Sequence, residues 1–134
     1  MRIDLHMHTT HSDGKLTPKE IVDLAIKRKI PTIAITDHEV ISGAIEAIKY
    51  SKNKKIEVIA GIEIGADDSK LDLYDIHIIG LFVNPKNLKL NELITFCLKQ
   101  REVQKKKILK NLKEIGYEIT FKELQTEAGG PNYG

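Results

Sequence analysis

Two histidines and an aspartate lie close together near the start of the sequence. The segment RIDLHMHTTHSDG begins at Arg2, and its alternating apolar and polar residues predict a short strand with one buried face. On a strand, the two-residue spacing of His6 and His8 places both imidazoles on the same side, and Asp13 follows after a polar turn. Imidazole binds Zn, Mn or Fe, and a carboxylate can hold a neighbouring ion. The segment therefore indicates a hydrolytic metal site; the alternative is a polar strand end whose histidines face solvent.

Further acidic residues and histidines fall at the ends of later predicted strands. Three more apolar runs predict strands, namely Thr32–Thr36, Ile56–Ile64 and Tyr74–Val83. Asp37 and His38 follow the first run, Glu63 lies near the end of the second, and His77 lies within the third. Ligands converge at the carboxyl ends of strands in α/β folds, so we expect these side chains to meet. Asp37 is expected to support the ligands, with a helix cap as its alternative, and His77 alone is equally compatible with a hydrogen-bonded core histidine.

Helical patterns separate the first three predicted strands. Thr17, Pro18 and Glu20 form a capping-box helix start, and Pro31 closes that segment. A second helix is predicted to begin at Ser42 or Gly43. The β-α-β-α-β order predicts an α/β fold with a largely parallel sheet and crossover helices.

Composition narrows the class of protein. The 134 residues amount to one domain, and the net charge of +2 does not by itself indicate nucleic acid. Cys97 is the single cysteine, so no intramolecular disulfide can form and a reducing compartment is expected. No apolar run is long enough to span a membrane, and none near the N-terminus has signal-peptide character. We expect a cytoplasmic protein; the sequence does not indicate its oligomeric state.

The C-terminal third has a different character. A long basic helix is predicted from Leu90 to Ile115, ending at Gly116. Its cationic residues are Lys99, Arg101, Lys105, Lys106, Lys107, Lys110 and Lys113. Most of them are expected to form a solvated face, the alternative being a rim that attracts phosphorylated substrates. Arg101 is the best candidate for binding phosphate, because a guanidinium group matches phosphate through two hydrogen bonds.

Several blocks resemble the polymerase and histidinol phosphatase (PHP) phosphoesterase family. They are DLHMH from Asp4, SDG from Ser12, TDH from Thr36, GIE from Gly61 and HIIG from His77. The resemblance implies part of a distorted (β/α)7 barrel holding two or three divalent ions of Mn, Zn, Fe or Mg. It also implies that His6, His8 and Glu63 bind one ion and that Glu63 bridges to a second ion held by His77. Asp13 and His38 would hold the third ion.

The implied chemistry is hydrolysis of phosphate monoesters by metal-activated water, with Asp13, His38 and Glu63 as the catalytic set. The branch that the chain most resembles acts on nucleoside bisphosphates and short RNA ends, so a phosphorylated small molecule, a nucleotide or a short RNA is the expected partner. We expect residues 1–86 to be the N-terminal part of the phosphoesterase domain and residues 87–134 to be a helical insertion.

Two features leave alternatives open. The family uses more ligands, from a chain about twice as long, and the sequence ends where the branch would supply its next histidine. We therefore expect either the N-terminal portion of a longer enzyme or a truncated chain with little turnover. The alternatives are a non-catalytic module that binds metal or phosphate, a histidinol-phosphatase-type enzyme, and a nucleic-acid processing domain whose basic helix contacts phosphates.

Overall fold

The computed structural model describes residues 2–66, 72 and 76–127. Its strands are β1 (Ile3–Met7), β2 (Thr32–Ile35), β3 (Glu57–Gly65) and β4 (His77–Leu81). Its helices are α1 (Pro18–Lys27), α2 (Ser42–Ser51), α3 (Leu88–Glu114) and α4 (Phe121–Glu127). Asp67–Lys70, which the sequence marks as a turn, and residues 73–75 at the start of the fourth predicted strand lie outside the described residues.

The four strands form one curled sheet in the order β1-β2-β3-β4. β1, β2 and β3 are parallel, as expected when a helix connects each strand to the next. β4 is antiparallel to β3, with Glu63 opposite Ile79. The prediction of a largely parallel sheet is therefore confirmed for the first three strands, and β4 adds an antiparallel strand whose direction was not predicted. Beyond β2, a further parallel bridge pairs His38 with Glu63, so the backbone of the site continues the sheet.

The hydrophobic core lies between the sheet and the first two helices. Ile33 and Ile35 of β2 are fully buried and pack with Val22 of α1 and with Ala44 and Ala47 of α2. Small residues on α2 allow that helix to approach the sheet closely. The core thus fixes β2, whose carboxyl end leads into the candidate site.

The ends of the helices follow the signals in the sequence. Thr17 and Glu20 form a capping box at α1, and α2 begins at Ser42. At the end of α3, Gly116 has φ +96°, and the N–H groups of Gly116 and Tyr117 donate to the carbonyls of Lys113 and Leu112. This is a Schellman motif, which requires the left-handed conformation that glycine adopts without strain.

Helix α3 contains no buried residue. Most of its lysines are exposed, namely Lys89, Lys99, Lys106, Lys107, Lys110 and Lys113. This confirms the predicted solvated face. Among the described residues, no helix combines the length and the apolarity needed to cross a bilayer.

Candidate metal centre

Four imidazoles surround the buried carboxylate of Glu63, whose side chain is 4% exposed. His6 Nε2 and His8 Nε2 lie 2.8 and 2.9 Å from Glu63 Oε2, and they lie 3.0 Å from each other. His77 Nδ1 lies 2.6 Å from Glu63 Oε1, and His38 Nε2 lies 3.9 Å from Oε2. β1 supplies His6, with His8 directly after it, His38 follows the end of β2, and β4 begins at His77. Three strand ends therefore deliver these nitrogens to a single carboxylate.

Asp13 adds a second carboxylate, which contacts the ring nitrogen of His8 that faces away from Glu63. Its Oδ1 lies 2.9 Å from His8 Nδ1, and its Oδ2 lies 3.7 Å from His38 Nε2. The ring centroids of His8 and His38 are 4.6 Å apart. Asp13 is half exposed, so it stands at the solvent side of the cluster.

The donor atoms fall into three overlapping groups, each with atoms within 4.8 Å of one another. The groups are His6, His8 and Glu63; His8, Asp13 and His38; and His38, Glu63 and His77. Imidazole nitrogen and carboxylate oxygen together suit Zn, Mn and Fe. The donor set therefore fits divalent transition metals.

The protonation states also suit metal binding. Burial would raise the pKa of Glu63, but the hydrogen bond from His6, the charge of His38 and the hydrogen bond from His77 bring that pKa below its usual value. Partial burial likewise acts against ionisation of Asp13, yet His8, His38 and the Ser12 hydroxyl lower its pKa. Burial lowers the pKa of His38 in spite of Glu63 and Asp13. Near neutral pH the carboxylates are ionised and His38 is neutral, which are the forms that bind metal ions.

Asp37 lies beside the centre and contacts the loop after β1. Its side chain is buried, and its Oδ1 accepts hydrogen bonds from the Thr9 N–H at 2.6 Å and the Ser12 hydroxyl at 2.8 Å. Oδ2 accepts from the Thr9 hydroxyl at 2.8 Å. Asp37 belongs to none of the three donor groups, and its role in supporting the ligands stays a prediction. The alternative helix-cap role finds no support, since the residue preceding α2, Ile41, makes no side-chain cap.

His11 points away from the cluster although it belongs to the same loop. Its Nδ1 lies 2.7 Å from the Ser42 hydroxyl, and its Nε2 lies 3.2 Å from Glu46 Oε2. Both partners are on α2. The sequence analysis did not make His11 a ligand, and in the structure it joins the loop to α2.

A cavity of about 700 Å³ separates the centre from α3. Asp13, His38 and His77 line it on one side, and Arg101 lines it on the other. Phe96, Gln100 and Gln104 also face it, and the sequence analysis missed them. Their four-residue spacing along the helix gives them a common face, which is the signal that could have identified them.

Glu39 also lines the cavity, and the sequence analysis gave it no role. Its carboxylate is 3% exposed and contacts Arg101, with Nε 2.6 Å from Oε2 and Nη2 donating to Oε1 at 3.2 Å. The only indication in the sequence was a third charged or ionisable residue directly after Asp37 and His38.

Comparisons with known proteins agree with this geometry. The model of the PHP domain family matches residues 4–126. A 3',5'-nucleoside bisphosphate phosphatase of Chromobacterium violaceum is 36% identical over 83 residues, covering 62% of this chain and 28% of that protein. A 5'-3' exoribonuclease of Haemophilus influenzae is 32% identical over 129 residues, covering 96% of this chain and 46% of that protein. A Bifidobacterium adolescentis structure described as a metal-dependent phosphoesterase has a TM-score of 0.81 and 25% identity, covering 98% and 46% of the two chains.

An α/β fold with histidines and acidic residues at the ends of its strands is typical of hydrolases that bind metal ions. The chain belongs to the PHP domain family. It spans less than half the length of each of the three proteins compared. The match to residues 4–126 crosses position 86, and the division into residues 1–86 and 87–134 remains a prediction.

Proposed function

We propose that the chain provides the metal centre of a phosphoesterase that hydrolyses phosphate monoesters of nucleotides or RNA ends. The observation that carries this proposal is the set of three overlapping donor groups formed by six side chains. Isolated structural ions are normally enclosed by one group of ligands. Shared ligands between adjacent groups instead suit a cluster of ions, which is typical of enzymes that transfer or hydrolyse phosphate.

Each side chain has a part in this proposal. His6, His8 and Glu63 hold one position, His77 and Glu63 a second, and Asp13 and His38 a third. Divalent ions bound there, of Mn, Zn, Fe or Mg, supply an activated water and positive charge for the phosphate oxygens. Glu63, Asp13 and His38 are the proposed catalytic residues: Glu63 and His38 each belong to two donor groups, and Asp13 and His38 also line the cavity. Asp37 holds the loop that carries Asp13.

The proposed substrate is anionic. Arg101 lines the cavity opposite His38 and His77, where a guanidinium group would contact a phosphate. The exposed lysines of α3 add positive charge to the helix that carries Arg101, which raises the local concentration of anions. The two curated relatives are named for a nucleoside bisphosphate and for RNA, and we extend that substrate class to this chain. We also propose that the chain forms part of a (β/α)7 barrel and that residues 87–134 are a helical insertion in it.

The test is phosphate release from adenosine 3',5'-bisphosphate in the presence of Mn²⁺. We expect slow release by the 134-residue chain, in keeping with the low turnover expected from the sequence, and a further loss in His8→Ala, which removes a ligand from two donor groups. His11→Ala is the matched control, because this histidine lies on the same loop and contacts α2 instead. Metal and nucleotide binding without phosphate release would indicate the non-catalytic module instead. Failure to bind metal would contradict both functions.

A further inference from the structure

The cavity beside the metal centre is larger than a phosphate group needs. Its volume of about 700 Å³ falls within the range of about 300–1,000 Å³ that is typical of pockets for whole small molecules. Asp13, His38 and His77 line one side of the cavity, and helix α3 forms the other. The α3 side therefore has room for a part of the substrate that does not react.

The α3 side of the cavity presents one aromatic ring and two amides. Phe96, Gln100 and Gln104 line it, and their four-residue spacing places them on a common face of the helix. Phe96 is 58% exposed, and both glutamines are exposed. All three side chains are therefore accessible to a ligand in the cavity.

This face of α3 does not have the residue pattern of a surface that packs against protein. A packing face repeats apolar residues at intervals of three and four positions, whereas amides follow Phe96 at both of the next positions on this face. A ligand that suits the face has a flat apolar surface for the phenyl ring and polar groups at its edge for the amides. A nucleobase has both features.

We propose that the α3 side of the cavity is a nucleobase subsite, in which the base stacks on Phe96 and its edge forms hydrogen bonds with Gln100 and Gln104. This inference rests on the proposed function, since it assumes that the phosphate ester lies at the metal centre. A sugar phosphate that bears a base then binds more tightly than one without a base. Every base has an aromatic face, and an amide both donates and accepts hydrogen bonds, so the subsite accepts all four bases.

A purely structural role for Phe96 predicts a different result. If the phenyl ring only stabilised the position of α3, removing the ring would alter the entire cavity. Sugar phosphates with and without a base would then lose affinity to the same extent. The difference in affinity between two such ligands therefore isolates the contacts with the base.

The experiment measures, by calorimetry, the binding of adenosine 5'-monophosphate and of ribose 5-phosphate, which lacks the base, to the Mn²⁺-loaded chain. Phosphate release from both ligands is measured in the same samples. The variants are Phe96→Ala, Phe96→Tyr, which keeps an aromatic ring, and the double variant Gln100→Ala/Gln104→Ala. Tyr117→Ala is the matched control, because Tyr117 is an aromatic residue of similar exposure, 62%, and is not among the described residues that line the cavity.

We expect the wild type to bind adenosine 5'-monophosphate more tightly than ribose 5-phosphate. Phe96→Ala should weaken nucleotide binding about five- to a hundredfold, the range for a base stacked on an aromatic side chain, and should leave ribose 5-phosphate binding nearly unchanged. The glutamine double variant should weaken nucleotide binding alone, by about fivefold or more. Phe96→Tyr and Tyr117→Ala should behave as the wild type.

Equal affinity of the wild type for the two ligands, or a parallel loss of both affinities in Phe96→Ala, would overturn the inference. If phosphate were nevertheless released from both ligands, the proposed hydrolysis would stand without the subsite. Base-dependent binding that requires Phe96 but leads to no phosphate release would support the subsite and contradict the proposed hydrolysis.

Discussion

Glu63 Oε2 and His6 Nε2 lie 2.8 Å apart although 57 residues separate them in the chain. The contact joins β1 to β3, two strands that are not neighbours in the sheet. Glu63 lies beyond the end of β2, where its backbone pairs with that of His38 and continues the sheet. Its side chain can therefore contact His6 of β1. The Glu63 carboxylate thus lies close to histidines from three segments of the chain.

The first prediction concerns metal content. His8→Ala should lower affinity for divalent transition metals by about tenfold or more, since His8 belongs to two of the three donor groups. Elemental analysis after dialysis against a fixed concentration of Mn²⁺ or Zn²⁺ measures the effect. The matched variant His11→Ala should keep the metal content of the wild type. Equal metal content in His8→Ala and His11→Ala would contradict the assignment of the ligands.

The second prediction concerns Asp13 in catalysis. Asp13→Asn should lower kcat by about tenfold or more, equivalent to about 1.4 kcal/mol of transition-state stabilisation, with a smaller change in KM. The reason is that Asp13 contacts His8 and His38 and lines the cavity, in which the reacting phosphate is proposed to lie. Steady-state kinetics with adenosine 3',5'-bisphosphate provides the measurement, with Asp23→Asn on α1 as the control. A rise in KM with unchanged kcat would instead assign Asp13 to uniform substrate binding.

The third prediction concerns the close approach of α2 to Asp37. A Cβ placed on Gly43 would clash with Asp37 Oδ2 and would lie 2.7 Å from Thr9 Oγ1. Alanine normally stabilises a helix by about 1 kcal/mol relative to glycine, but overpacking here should cost about 1–3 kcal/mol. We therefore expect Gly43→Ala to lower the free energy of unfolding in urea.

The exposed α2 position Lys49 provides the control for that measurement. Lys49→Ala tests helix propensity on the same helix without a steric conflict, and it should be neutral or slightly stabilising. A stabilising effect of Gly43→Ala would show that α2 can move away from Asp37.

The fourth prediction concerns pH and a group remote from the centre. Asp23 on α1 accepts hydrogen bonds from Lys54 at 3.0 Å and from the Tyr50 hydroxyl at 2.8 Å, and these two contacts lower its pKa. A carboxyl whose pKa is lower in the folded state stabilises the protein above its unfolded pKa, about 3.9. That contribution disappears as the pH falls through the folded pKa.

Asp23→Asn should therefore reduce the loss of stability on acidification below about pH 4. Urea unfolding between pH 3 and 6 measures the slope. Lys54→Met should reduce the slope in the wild type and should have little effect in Asp23→Asn, because the same contact is already removed. An unchanged slope in Asp23→Asn would contradict the prediction.

Local patterns in the sequence predicted the helices and strands well, because their signals are local. The Thr17–Glu20 capping box and the Gly116 stop each depend on a few neighbouring residues. The sequence analysis gave no direction for β4, because residue patterns do not specify strand direction. The absence of a predicted helix between Gly65 and His77 was the available signal, since parallel neighbours need a longer crossover.

Only part of the candidate site could be predicted from local patterns in the sequence. Strand-end position and residue type indicated the six potential ligands, and the structure brings their donor atoms together. The pair of Glu39 and Arg101 could not be predicted, because it joins a position after β2 to a helix 62 residues later. Contacts of that kind depend on how α3 crosses the cavity, which no local pattern encodes.

The six potential ligands extend from His6 to His77, and they come together only when β1, β3 and β4 are all in place. An unfolded chain cannot assemble all six, so an ion that binds here binds the native state more tightly than the unfolded chain. At a free concentration one hundred times its Kd, such an ion adds about 2.7 kcal/mol to the free energy of unfolding. Thermal melting of the chain should therefore report metal binding directly, and chelation should lower the Tm even where no substrate is present.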